Sequence, residues 1–153
     1  RIKQKSLSEE TFGSLLQDCS GTRFISLQYG ESKNVVENWR KQGIDVIHDD
    51  SINPLKDMDR WLSQVAACDA VLSIANTTIH GSGGLGIPTL CLLSQHSDWR
   101  WLKDQNVMRS YWYPSVGIAR EHTDNGWNKA FEDTIAWLKN RTPYPIGPMA
   151  ILP

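Results

Sequence analysis

No stretch of the 153-residue chain approaches the ~18 consecutive apolar residues of a membrane-spanning helix, so no membrane span is expected. Neither sign of charge is in surplus: 16 Lys and Arg face 17 Asp and Glu, for a net charge of -1. Proteins that grip nucleic acid through its phosphates usually carry a basic excess, so no nucleic-acid partner is expected. Cysteine is scarce, with three widely spaced residues (Cys19, Cys68, Cys91) and no Cys-x-x-Cys pair. That excludes a zinc knuckle and a redox dithiol. Cys68 ends an apolar helical pattern and Cys91 lies inside an apolar strand, so both read as buried thiols of a reducing, cytoplasmic compartment. The opening Arg1 to Ser6 has no apolar stretch behind its charges, and no secretory signal is expected. Metal ligands are also lacking. Asp49-Asp50 sits in a turn before Pro54 with no third ligand, and His48, His96 and His122 have no partner at ligand spacing. No metal and no cofactor are expected.

What the chain does have is tryptophan, seven in all, and a regular alternation of short apolar runs with helical patterns. Ser6 or Ser8 caps a helix with Glu9 and Glu10 in its first turn and Leu15-Leu16 on its apolar face. Val35, Val36 and Trp39 mark a second helix that ends at Gly43, and Met58, Trp61, Leu62, Val65 and Ala66 mark a third. Between and after them lie apolar runs at Arg23 to Gln28, Ile44 to His48, Asp69 to Ile74, Pro88 to Leu93 and Val116 to Ala119. Trp127 to Leu138 reads as a closing helix. Such alternation predicts an α/β fold: a Rossmann-like open parallel sheet with helices on both faces. Near-continuous apolar strands fit burial on both sides. One domain over residues 1–141 is expected, followed by a Pro-rich tail, 142–153, that reads as an extended strap or a disordered end. The helix at the start hints at a strand upstream of residue 1.

Gly81-Ser-Gly83-Gly-Leu-Gly86 matches the G-x-G-x-x-G dinucleotide fingerprint literally. That fingerprint needs a strand immediately before it and a helix opening from it. Here Ile87-Pro88 and an apolar strand follow, which places Gly86 at a helix C-terminus and rejects the match. The informative segment is upstream. Strand Asp69 to Ile74 leads through Ala75 into Asn76-Thr77-Thr78-Ile79-His80, with Asn76 or Thr77 a natural N-cap. Backbone N–H groups, two Thr hydroxyls and an imidazole then meet at a helix N-terminus beyond the carboxyl end of a parallel strand. Ligands of open α/β sheets bind there, and phosphate suits such N–H groups. On residues alone, a bare cap with His80 as a core histidine is the rival reading. Trp99, Trp101 and Trp112 in the long connection after the fourth strand read mainly as core packing, with a ring-stacking platform as the alternative. Asp98 and Arg100 beside them either contact a ligand or pair with each other.

The run Ser73-Ile-Ala-Asn-Thr-Thr-Ile-His-Gly-Ser-Gly-Gly-Leu-Gly-Ile-Pro88 resembles the nucleotide-binding motif in the C-terminal domain of GT-B glycosyltransferases. It is most similar to heptosyltransferase-like proteins (glycosyltransferase family 9) and to bacterial proteins that place tetratricopeptide repeats before such a domain. The segments Phe24 to Gly30, Asp69 to Ile74, Ser97 to Leu102 and Trp112 to Ser115 extend the resemblance over about residues 5–140. It implies one half of a GT-B fold that holds the donor, a nucleotide-diphosphate sugar. Asn76, Thr77, Thr78 and His80 would contact its diphosphate and sugar, Gly81 would give close backbone approach, and Gln28 and Tyr29 would face the same crevice. The partner would be an upstream domain or repeats of the same polypeptide, and this half alone would not be an active transferase. The resembled proteins often carry Asp immediately before the motif, where this chain has Ala75. Two other expectations therefore stand beside the transferase: a scaffold module with a decayed donor site, and a sugar-nucleotide epimerase-type domain.

Overall fold

A computed structural model describes residues 7–30, 32–102, 104 and 106–140. The proposed tail, 142–153, lies outside the described residues. The chain divides into two compact units, one of residues 7–68 and one that starts at Asp69. Both are parallel α/β structures, in keeping with a Rossmann-like fold: the first holds a two-stranded sheet and the second a three-stranded one.

In the first unit the order is α1 (Glu9–Gln17), β1 (Phe24–Ile25), α2 (Lys33–Lys41), β2 (Val46–Ile47) and α3 (Met58–Ala66). Ser8 caps α1, its hydroxyl accepting from the Thr11 N–H at 3.1 Å. Asp57 does the same for α3 through Arg60, at 2.9 Å. Gly43 ends α2 in the left-handed region at φ 86°, and its N–H and that of Ile44 close on the carbonyls of Arg40 and Trp39. A side chain would be strained there, which is why glycine stops this helix. β1 and β2 pair in parallel through Phe24 with Val46 and Ile25 with Ile47. Both strands are shorter than their apolar runs. Trp39 and Trp61 are buried, and their indole N–H groups donate to the carbonyls of Glu9 and Leu27.

The second unit runs β3 (Val71–Ile74), α4 (Thr77–Gly84), β4 (Thr89–Leu93), a 3-10 turn (Trp99–Trp101), β5 (Val116–Arg120) and α5 (Asn128–Asn140). The strand order is β3-β4-β5, all parallel, with Ser73 beside Cys91 and Cys91 beside Ile118. Every residue of β4 is buried, as a central strand covered on both faces requires. On one face Cys91 and Leu93 pack with Val116 and Ile118 of β5, Ile79 of α4 and Trp101. Leu90 and Leu92 alternate to the other face, and α5 packs against β5. Each of these buried aliphatic side chains contributes about 1.5–3 kcal/mol of transfer free energy. Cys91 is fully buried as expected, whereas Cys68 is only half-buried, because it follows the last turn of α3 rather than lying on its packed face.

Candidate functional site

Helix α4 begins where β3 ends. Asn76 has extended backbone angles, and its side-chain oxygen accepts from the Thr78 N–H at 2.9 Å and from the Ser73 hydroxyl at 3.2 Å. The asparagine is therefore the cap, and Thr77 is the first helical residue. One part of the sequence expectation needs correcting. The cap takes up the Thr78 N–H, and the Ile79 N–H closes on the Asn76 carbonyl at 3.2 Å. Two of the backbone donors envisaged for a phosphate are thus satisfied within the helix. Asn76 and Thr77 are exposed and Thr78 and Gly81 half-buried.

The far end of α4 settles the glycine motif. Gly86 adopts φ 72°, its N–H bonds the Gly83 carbonyl at 3.1 Å, and the Ile87 N–H bonds the Ser82 carbonyl at 3.0 Å. This paired closure is a helix C-terminus. Gly81, Gly83 and Gly84 are helical residues ahead of it, so the segment is not a dinucleotide loop. Gly83 has a packing role: a Cβ there would lie 2.5 Å from Tyr113 Cγ.

His80 is not a core histidine. It is exposed, its Nδ1 lies 3.0 Å from the Tyr113 hydroxyl, and its ring stacks at 6.3 Å on the buried Trp101. Together with Trp99, Arg100, Trp112 and Tyr113 it lines an open pocket of about 210 Å³. The three tryptophans of the connection thus divide. Trp101 packs in the core as expected, but Trp99 and Trp112 are 69% and 57% exposed, against the core-packing reading. The two exposed indoles meet edge to face at 6.4 Å. The Arg100 guanidinium lies over the Trp99 ring, 5.1 Å from its centroid, and pairs with Asp98 at 2.9 Å. Asp98 and Arg100 thus pair with each other, one of the two arrangements expected of them.

Several bonds fix this pocket. Asp98 accepts from the Arg100 N–H and caps the 3-10 turn. The Trp112 indole N–H donates to the Arg100 carbonyl at 3.2 Å. The buried Ser110 hydroxyl accepts from the N–H groups of Trp112 and Tyr113. Beneath them, the buried Arg120 at the end of β5 donates to the carbonyls of Trp101, Leu102 and Val107 at 2.6, 3.3 and 3.1 Å. Burial pushes this guanidinium below its ordinary value. Sequence reasoning missed Tyr113 and Arg120. The cluster Tyr111-Trp-Tyr113 and a charge closing an apolar strand were the available signals.

The remaining candidates belong to the first unit. Gln28 and Tyr29 follow β1 in the first unit, both exposed. Asp49 belongs to a turn, its carboxylate accepting from the Ser51 N–H and hydroxyl, which lowers its pKa. Asp50 pairs with Lys33 and His48 at 3.8 and 3.3 Å. Among the described residues no group of three His, Cys, Asp or Glu could hold a metal, and no helix is long and apolar enough to cross a membrane. Set against known proteins, the chain matches no family model, no curated protein and no solved structure.

Proposed function

We propose that the chain is the donor-binding half of a glycosyltransferase-like protein and holds a nucleotide-diphosphate sugar with its diphosphate at the start of α4. The observation that carries this reading is the junction of β3 and α4. A parallel strand delivers the chain into an asparagine-capped helix, with Thr77, Thr78 and His80 on its first turns. The Thr hydroxyls, the amide of Asn76 and the positive end of the helix would meet the diphosphate. In transfer, an acceptor hydroxyl attacks the anomeric carbon, and these donors stabilise the departing diphosphate. The acceptor and the base come from an upstream domain or repeats.

Ala75 favours a second reading, a binding module whose donor site no longer supports transfer, because a carboxylate often stands there in the proteins it resembles. Calorimetry with ADP, UDP and their sugars tests the first step common to both. Binding should weaken by about 1–3 kcal/mol in the double variant Thr77→Ala/Thr78→Ala, the scale of hydrogen bonds lost to a charged group. Equal affinity in the variant would remove the site from the start of α4. Given binding, transfer restored by Ala75→Asp separates an impaired enzyme from a module that only binds.

A further inference from the structure

The pocket over His80 has features that diphosphate binding does not use. Its walls are two indoles, exposed yet held in place by a hydrogen bond from Trp112 to the Arg100 carbonyl and by the guanidinium over Trp99. Large aromatic surface left in water is unfavourable for folding alone, and its fixed orientation indicates a ligand face. The charge of Arg100 is cancelled by Asp98 at 2.9 Å, so this end of the pocket has no spare cation for a phosphate. The pair instead sets donors and an acceptor side by side. At about 210 Å³ and open to solvent, the pocket is below the ~300–1,000 Å³ of drug-sized ligand sites and suits a single ring that stays partly hydrated.

We propose that Trp99 and Trp112, with the Asp98–Arg100 pair, form a binding subsite for a neutral pyranose ring of a glycan. The apolar C–H face of the ring lies on an indole, and the Asp98 carboxylate and Arg100 guanidinium accept from and donate to neighbouring hydroxyls. His80 and Tyr113 close the inner wall through their mutual bond. The subsite requires no nucleotide and stands whether or not a diphosphate binds at α4.

Tryptophan fluorescence and saturation-transfer NMR on the full chain, titrated with cellohexaose, maltohexaose and chitohexaose, test the proposal. At least one of these should give a saturable response. Trp99→Ala and Trp112→Ala should each weaken it tenfold or more, Trp99→Phe should retain most of it, and Thr77→Ala/Thr78→Ala should leave it unchanged. Both indoles are exposed, so these variants should keep the circular dichroism of the parent. Absence of saturation with all three sugars overturns the subsite, as does a response indifferent to both Trp variants. A response to ADP or UDP that Trp99→Ala abolishes, with none to the oligosaccharides, assigns the pocket to a nucleobase and also overturns it.

Discussion

Replacing Gly83 with alanine should destabilise the protein, and the sign of that change depends on one aromatic ring. In an exposed helix the substitution is favourable by about 0.5–1 kcal/mol, because glycine loses more backbone entropy on folding. At position 83 the new Cβ would lie 2.5, 2.8 and 2.9 Å from Cγ, Cδ2 and Cβ of Tyr113. These atoms are the stem of the side chain rather than its free end, so the ring cannot swing clear without moving its own backbone. Overpacking of this kind costs ~1–3 kcal/mol. Set against that gain, the net loss expected is about 1 kcal/mol and at most about 2.5 kcal/mol, read as a shift of the urea midpoint at constant slope. Gly84 is the internal control: a Cβ there meets nothing within 4 Å, so Gly84→Ala should be neutral or stabilising. In a Tyr113→Gly background the steric cost vanishes, and Gly83→Ala should stabilise like its neighbour. A double-mutant cycle should return a coupling of about 1–3 kcal/mol. Additivity of the two changes would refute the close approach of the Tyr113 ring to α4. Gly83→Ala should also disturb the Tyr113–His80 bond and weaken ring binding in the adjoining pocket.

Two further outcomes follow from buried groups of the second unit. Arg120→Met removes three hydrogen bonds from a charged donor to backbone carbonyls and should cost about 3 kcal/mol or more in urea unfolding; a loss under about 1 kcal/mol would show that the clamp is dispensable. Burial raises the pKa of Cys91, so its thiol should resist alkylation in the native state. Above about pH 8.5 the unfolded chain releases this proton while the folded chain retains it, so stability should fall as pH rises, a dependence that Cys91→Ala should reduce.

The strands and helices were legible because burial on both faces leaves continuous apolar runs and because caps are written in residue type. Asn76 before Thr77-Thr78 and Gly86 before Ile87-Pro88 mark both ends of α4, and the structure places both ends there. Sequence could not divide the three tryptophans of the connection. Trp101 is buried through its stack with His80 and its contact with the sheet, Trp99 two residues earlier is turned outward by the 3-10 turn, and residue type is the same in both. Arg120 was hidden for a different reason. Its partners are backbone carbonyls, which exist at every position and leave no trace in composition. The cost of the Asn76 cap to the phosphate reading was equally invisible, since the same residue type that announces a helix N-terminus also consumes one of its donors.

The connection between β4 and β5 carries costs that the three-stranded sheet does not need. Leu102 holds φ 55° and ψ 155°, a region nearly reserved for glycine, at a cost of about 1–3 kcal/mol. It sits between the 3-10 turn and the segment that Arg120 grips, and its own carbonyl is one of the three acceptors. A buried guanidinium adds its desolvation to that strain. The immediate result is a backbone held at Trp101 and Leu102, where the turn ends, and again at Val107. Among the side chains that the turn presents to solvent are Trp99 and Arg100, whose exposure contributes little to folding. Rigid placement of exposed aromatic and polar groups lowers the entropy lost when a ligand is bound. Strain, buried charge and the Ser110 and Asp98 turns thus converge on one product, a pocket formed before its ligand arrives. The same logic makes Arg120 a positioning residue for the pocket: its hydrogen bonds go to backbone carbonyls, those of Trp101 and Leu102 where the turn ends and that of Val107 beyond it.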